Sequence, residues 1–203
     1  MRLIKVCGMR DAANIQGVER AGADWIGFIF HPASPRYVSE IPAYLPQQAR
    51  RVGVFVDAPK ERIIETASLF GLELVQLHGS ESPRFCEEIR QTGIGVIKSL
   101  SVGDRFPDET ATEYRDTCDY FLFDTQTKLH GGSGRRFDWN LLSDYSGDTP
   151  FLLSGGIAPH DTGILKTLLH PKLIGIDINS RFEITPAKKD LQKIRHFIAT
   201  LKS

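Results

Sequence analysis

Apolar and β-branched residues fall into eight short runs: Leu3 to Val6, Trp25 to Phe30, Val52 to Val56, Leu72 to Leu77, Gly95 to Ile97, Tyr120 to Phe123, Phe151 to Leu153 and Leu173 to Ile178. Runs of this length and composition predict buried strands. Most are separated by amphipathic segments, clearest over Asp11 to Ala21, Lys60 to Phe70, Pro83 to Thr92 and His160 to Leu169, and Lys188 to Leu201 closes the chain as another. Strand alternating with helix implies parallel strands joined by right-handed crossovers. Eight such units predict an α/β fold, a closed (β/α)8 (TIM) barrel forming a single domain over residues 1–203. An open doubly wound sheet is the alternative. Helical signals are weak around Ile41 to Arg50, Asp108 to Thr117 and Trp139 to Asp144, so short or irregular connections are expected after strands two, five and six.

In a barrel of this kind the site lies on the loops at the C-terminal ends of the strands. Cys7, His31, Asp57, His78, Ser99, Asp124, Ser154 and Asp177 each end a predicted strand or begin the next loop. Strand alternation puts Cys7 on the face of Lys5, His78 on that of Gln76 and Asp124 on that of Leu122, so inward faces would aim this chemistry into one mouth. Two glycine-rich turns, Gly131-Gly132-Ser133-Gly134 and Ser154-Gly155-Gly156, follow strands, and Asp177-Ile178-Asn179-Ser180 repeats the arrangement. Glycine lets backbone N–H groups converge on an anion with no Cβ in the way, so three such turns suggest a phosphate cradle.

Composition narrows the partners. With 25 basic and 25 acidic residues in 203, there is no global field to draw the chain to nucleic acid or to an anionic membrane. Any anion site must be local. The cysteines, Cys7, Cys86 and Cys118, form no CxxC pair and no cluster at zinc spacing, which reads as a reduced, cytoplasmic protein without a metal. No basic start with an apolar stretch marks export, and no apolar run reaches the roughly 20 residues that span a bilayer.

Taken singly, several residues stay ambiguous. Cys7 reads equally as a small buried hydrophobe or as an accessible strand-end thiol able to act as base or nucleophile. Cys86 and Cys118, in or beside helical segments, read as buried hydrophobes. Asp124 closes the apolar run Tyr120 to Phe123, where desolvation would raise its pKa toward the range of a general acid, or it serves as a cap or loop hydrogen-bonder. Asp57, before Ala58-Pro59 and a helix, reads better as a cap. Arg36 lies in the proline-restricted loop His31-Pro32-Ala33-Ser34-Pro35-Arg36-Tyr37, where its fork would suit a planar carboxylate. His31 and His78 read as structural hydrogen-bonders, since neither has an evident carboxylate partner in the sequence.

Lys-Val-Cys-Gly at 5 to 8, Gly-Ala-Asp-Trp-Ile-Gly-Phe-Ile-Phe at 22 to 30 and Ser-Pro-Arg-Tyr at 34 to 37 resemble the phosphoribosylanthranilate isomerases of tryptophan biosynthesis. The likeness continues through Val-Gly-Val-Phe-Val at 52 to 56, Val-Gln-Leu-His-Gly at 75 to 79, Phe-Asp-Thr at 123 to 125, Gly-Gly-Ser-Gly at 131 to 134, Phe-Asp-Trp at 137 to 139 and Leu-Ser-Gly-Gly-Ile at 153 to 157. It implies an Amadori rearrangement of an N-phosphoribosyl aminoaldose to a 1-amino-1-deoxyketose, with no cofactor or metal. By the same resemblance Asp124 is the general acid, Cys7 the general base, and Arg36 the holder of the anthranilate carboxylate. The phosphate would rest on Gly131, Gly132, Ser133, Gly134, Gly155, Gly156 and the turn Asp177 to Ser180, with Asn179 and Ser180 supplying N–H groups. A small-molecule phosphoribosyl substrate is the partner implied, for a monomer or homodimer.

One turn departs from the family pattern. Where the family usually reads Asp-Val-Ser-Ser-Gly-Val-Glu, this chain has Asp177-Ile178-Asn179-Ser180-Arg181-Phe182-Glu183, so Arg181 replaces a glycine and is expected to alter the loop or add charge to the phosphate site. Lys5 is expected to lower the Cys7 pKa, muted by pairing with Asp177 across the closing strands. The rival readings are the aldose isomerase of histidine biosynthesis, which uses two aspartates, indole-glycerol phosphate synthase, and a catalytically silent phosphate-binding barrel.

Overall fold

The computed structural model describes residues 2–126 and 136–203. Eight parallel strands close in sequence order into a barrel: β1 (Leu3–Val6), β2 (Trp25–Ile29), β3 (Arg50–Phe55), β4 (Leu74–Leu77), β5 (Gly95–Val102), β6 (Tyr120–Thr125), β7 (Phe151–Leu153) and β8 (Leu173–Ile178). Pairing of β1 with β8 places Lys5 opposite Asp177, which closes the ring. The helices are α1 (Ala12–Arg20), α2 (Lys60–Phe70), α3 (Pro83–Arg90), α4 (Asp108–Tyr114), α5 (Thr162–Thr167) and α6 (Leu191–Lys202). No helix among the described residues is long and apolar enough to cross a membrane.

The strands are buried on both faces, which is why they read as continuous apolar runs rather than alternating ones. Inside, Trp25, Val52, Leu74, Ile97, Leu122 and Leu152 fill the lower barrel, and Trp25 meets Tyr120 edge-on at 5.3 Å. Outside, Ile4, Val6, Ile26 and Phe28 pack in one core with helix residues such as Ile15, Val18, Phe70 and Phe197. Side-chain caps set the helix starts: Asp11 accepts from Asn14 N on α1, Ser82 from Phe85 N on α3, and Asp190 from Gln192 N on α6.

The three weak helix signals resolve differently. The β2–β3 connection is irregular, broken by Pro42 and Pro46, and Glu19 of α1 substitutes for a helix by accepting from the amides of Gln47, Gln48 and Ala49 and from the Tyr44 hydroxyl. After β5 a short α4 forms. After β6 the described residues form a 3-10 turn over Trp139–Asp144, and aromatic packing covers the barrel there, with Phe123 against Phe151 at 4.9 Å and Phe106 against Phe123 at 4.9 Å. The segment expected to close the chain as one helix from Lys188 starts three residues later. Lys188–Lys189 forms strand β10, paired antiparallel with β9 (Glu183–Thr185), before Asp190 caps α6. Likewise β5 runs past Ser99 to Val102, so Ser99 does not end its strand.

Candidate active site

Strand β1 delivers Cys7 one residue past its end. The thiol sits in the space left by a missing side chain on β2, since a Cβ on Gly27 would lie 2.8 Å from Cys7 Sγ. This packing buries Cys7, which decides between the two positions the sequence left open for it. Burial raises its pKa, with Lys5 the main opposing influence, so the thiol is held neutral in the ligand-free protein. Lys5 is itself fully buried and bonds Asp177 Oδ1 at 2.9 Å. Burial pulls the Lys5 pKa down, but Asp177 and Cys7 outweigh it and the net shift is upward. The expected pairing across the barrel seam is therefore present, and the expected lowering of the thiol is overridden by burial. Asp177 also accepts from Ser154 Oγ at 3.3 Å.

Asp124 stands at the end of β6 with its side chain 20% exposed. Burial pushes its pKa to about 6, against the hydrogen bond donated by Thr125 N. A carboxyl that takes up a proton near neutrality can donate one. The turn after β7 closes on it: Gly155 and Gly156 have φ of +89° and +67°, and a Cβ on Gly155 would lie 2.8 Å from Asp124 Oδ1 and 2.7 Å from Thr125 N. Only glycine fits there. His78 does face a carboxylate, contrary to the sequence reading: its Nε2 is 3.7 Å from Asp124 Oδ2, while Gln76 Nε2 meets Nδ1 at 2.8 Å. In the tautomer with its proton on Nε2, Nδ1 can accept from Gln76 while that proton faces Asp124.

Arg36 is not a solvated loop arginine. Glu183 grips it with two bonds, Nε to Oε1 at 2.8 Å and Nη2 to Oε2 at 2.7 Å. Glu183 also accepts from the buried Lys189 Nζ at 2.7 Å. Burial raises the Glu183 pKa less than Arg36 and Lys189 lower it, so it stays a carboxylate. Burial lowers the Lys189 pKa, with Glu183 the main opposing influence. Sequence reading missed both residues as site residues. Glu183 lay in the quoted family turn and Lys189 in a presumed helix, and only the hairpin of β9 and β10 brings them together.

Asp57 does not cap α2, whose N-cap is Pro59. It takes a left-handed φ of +49° and its Oδ1 accepts from Ser80 N and Oγ at 2.7 and 2.9 Å, tying the β3 and β4 loops together. The buried pair Glu81–Lys98 at 2.8 Å supports the same junction, because Glu81 also accepts from the amides of Asp57 and Gly79. His31 follows β2 in the Arg36 loop, where its backbone carbonyl accepts from Ser34 N. Cys86 and Cys118 are free and buried, as read. Asn179 and Ser180 follow β8, and exposed Arg181 takes no left-handed conformation, so its replacement of glycine imposes no backbone strain. The turn Gly131, Gly132, Ser133 and Gly134 lies outside the described residues.

Ionisable side chains gathered around the C-terminal mouth of a closed (β/α)8 barrel place the chain in the class of barrel enzymes. The sequence profile described as N-(5'phosphoribosyl)anthranilate (PRA) isomerase matches residues 4–200. The chain is 50% identical over 200 residues to the N-(5'-phosphoribosyl)anthranilate isomerase of Phocaeicola vulgatus, covering 98% of each chain. It superposes on the crystal structure of phosphoribosyl anthranilate isomerase from Thermotoga maritima with a TM-score of 0.86 at 36% identity, over 100% of this chain and 99% of that one. A phosphoribosyl anthranilate isomerase in complex with reduced 1-(o-carboxyphenylamino)-1-deoxyribulose 5-phosphate matches with a TM-score of 0.85 at 33% identity, over 100% of this chain and 99% of that one. The chain belongs to the phosphoribosylanthranilate isomerase family, enzymes of tryptophan biosynthesis.

Proposed function

We propose that the barrel rearranges N-(5-phosphoribosyl)anthranilate to 1-(2-carboxyphenylamino)-1-deoxyribulose 5-phosphate with Asp124 as general acid and Cys7 as general base. The observation that carries this is the pair of opposed environments in one mouth: a carboxyl whose pKa burial raises to about 6, and a thiol seated beside a buried ammonium. Asp124 protonates the ribose ring oxygen, and the furanose opens to an iminium ion. That cation acidifies the neighbouring C2–H. It also joins Lys5 in offsetting the burial of Cys7, so the thiol loses its proton to solvent and the thiolate takes the C2 proton. The resulting enolamine tautomerises to the ketone. Arg36 holds the anthranilate carboxylate. The phosphate rests on N–H groups of Gly155, Gly156, Asn179 and Ser180, a reading supported by two successive positive-φ glycines at the mouth. Three free cysteines accord with a reducing cytoplasm.

The test generates phosphoribosylanthranilate in situ and follows loss of its fluorescence with wild type, Cys7→Ala and Asp124→Asn, alongside the histidine-pathway aldose. Turnover of the anthranilate substrate that either substitution abolishes is the expected result. Binding without turnover in wild type, or full activity in Cys7→Ala, overturns the assignment.

A further inference from the structure

The hairpin after β8 buries a lysine to which the reaction above gives no role. Lys189 is 1% exposed, and its Nζ donates to Glu183 Oε1 at 2.7 Å and to Asn179 Oδ1 at 2.6 Å. Its backbone is locked by buried Asn14 on α1, which accepts from Lys189 N at 2.8 Å and donates to Lys189 O at 2.9 Å. Glu183 in turn grips Arg36 through Nε and Nη2, leaving the Nη1 edge of the guanidinium for a ligand. The cluster adjoins the catalytic thiol: a Cβ on Gly8, next to Cys7, would lie 2.6 Å from Arg36 Cδ and 2.8 Å from Asn179 Oδ1. Two cations around one carboxylate leave one positive charge, an expensive thing to keep buried unless an anion completes it.

We propose that Lys189 is a positioning residue that makes the pocket select an aryl group bearing a carboxylate. It supplies the charge that Glu183 would otherwise cancel on Arg36, and it holds Glu183 and Asn179 so that the Nη1 edge stays turned to the ligand. This rests on the reading that Arg36 meets the anthranilate carboxylate. Without Lys189 the Arg36–Glu183 pair is neutral, and a ligand carboxylate gains little by entering.

Calorimetric titration with two unreactive ligands separates the possibilities: reduced 1-(o-carboxyphenylamino)-1-deoxyribulose 5-phosphate and the same compound without its carboxyl group. Wild type is expected to prefer the carboxylated ligand. Lys189→Met should weaken that ligand about tenfold or more and the other less than about twofold, the scale of losing one charge-assisted interaction. The double variant Lys189→Met/Glu183→Gln, which again carries a single positive charge in the cluster and buries no lone carboxylate, should regain most of the preference. Equal losses on both ligands, or a double variant no better than Lys189→Met, would make Lys189 merely structural and overturn the proposal. Equal binding of the two ligands by wild type would instead overturn the Arg36 reading on which it stands.

Discussion

Lys5→Met keeps the length of the side chain and removes the cation facing Asp177 inside the barrel. Lys5 is fully buried and Asp177 is 6% exposed, so water cannot replace the 2.9 Å bond, and what remains to the carboxylate is Ser154 Oγ at 3.3 Å. Leaving one partner of a buried pair costs about 3–5 kcal/mol. For a chain of this length each kcal/mol moves Tm by about 2–4 °C, so a fall of roughly 6–20 °C is expected. Lys5→Met/Asp177→Asn should recover all but about 1 kcal/mol, because an intact buried pair contributes little net stability over a neutral replacement.

The thiol provides a second, independent readout. Burial holds the Cys7 pKa up and Lys5 is the largest influence against it, so losing Lys5 should raise it further. Each additional pKa unit slows alkylation up to about tenfold wherever the thiol is mostly protonated. Urea denaturation at pH 7.5 gives the stability, and mass spectrometry of the Cys7 peptide against time and pH gives the reactivity. The double variant should be stable and still slow to alkylate. A loss below about 1 kcal/mol together with superimposable alkylation curves would refute the reasoning and remove Lys5 from the account of the base.

For Asp124, with a pKa of about 6 beside a thiol that is still neutral there, kcat/KM should rise tenfold per pH unit up to about pH 6 and then level off, because above it the loss of the Asp124 proton offsets the gain in thiolate; Asp124→Asn should lose about 10²–10⁴ in kcat together with that break in the profile. Its folded pKa lies above its unfolded one, so stability declines as pH rises through the interval between them; Asp124→Asn should be ~2–3 kcal/mol more stable than wild type at pH 8 and equal at pH 3, by denaturant titration. Burial raises the Glu19 pKa less than the Tyr44 hydroxyl and the amides of Ala49, Gln48 and Gln47 lower it, so the net shift is downward. Glu19→Gln should cost about 2 kcal/mol at pH 7, and the gap should close as pH falls through the folded-state value and the wild-type carboxylate takes up its proton. Gly155→Ala should lower kcat sharply by displacing Asp124, whereas Gly93→Ala, with a similar φ of +87° but open space for a Cβ, should cost only about 1 kcal/mol of stability and leave kcat intact.

The barrel was legible because its strands are buried on both faces: each announces itself as a short apolar run, whatever helix follows. Helices were legible only where they bury a stripe. Lys60 to Phe70 reads as α2 to the residue, while Ile41 to Arg50, with prolines at 42 and 46, does not fold as a helix and depends on a carboxylate from α1. Groups whose place is set by a strand end, such as Cys7, Asp124 and Ser154, could be found by position. What stayed hidden were pairings made by the closure of the ring. His78 meets Asp124 across 46 positions and Arg36 meets Glu183 across 147. The Lys5–Asp177 contact could still be anticipated, because strand order fixes that the first and last strands are neighbours. Nothing comparable fixes the path of the loop after β8. A two-residue shift there decides whether Lys189 starts a solvent-facing helix or turns inward as the end of a hairpin, and charged side chains in a loop carry no signal of which they do. On the proposed reading of Arg36, a substrate carboxylate supplies the physical reason for the inward course: a buried lysine, glutamate and arginine with one charge uncancelled are costly by themselves, and the anion that completes them recovers that cost on binding.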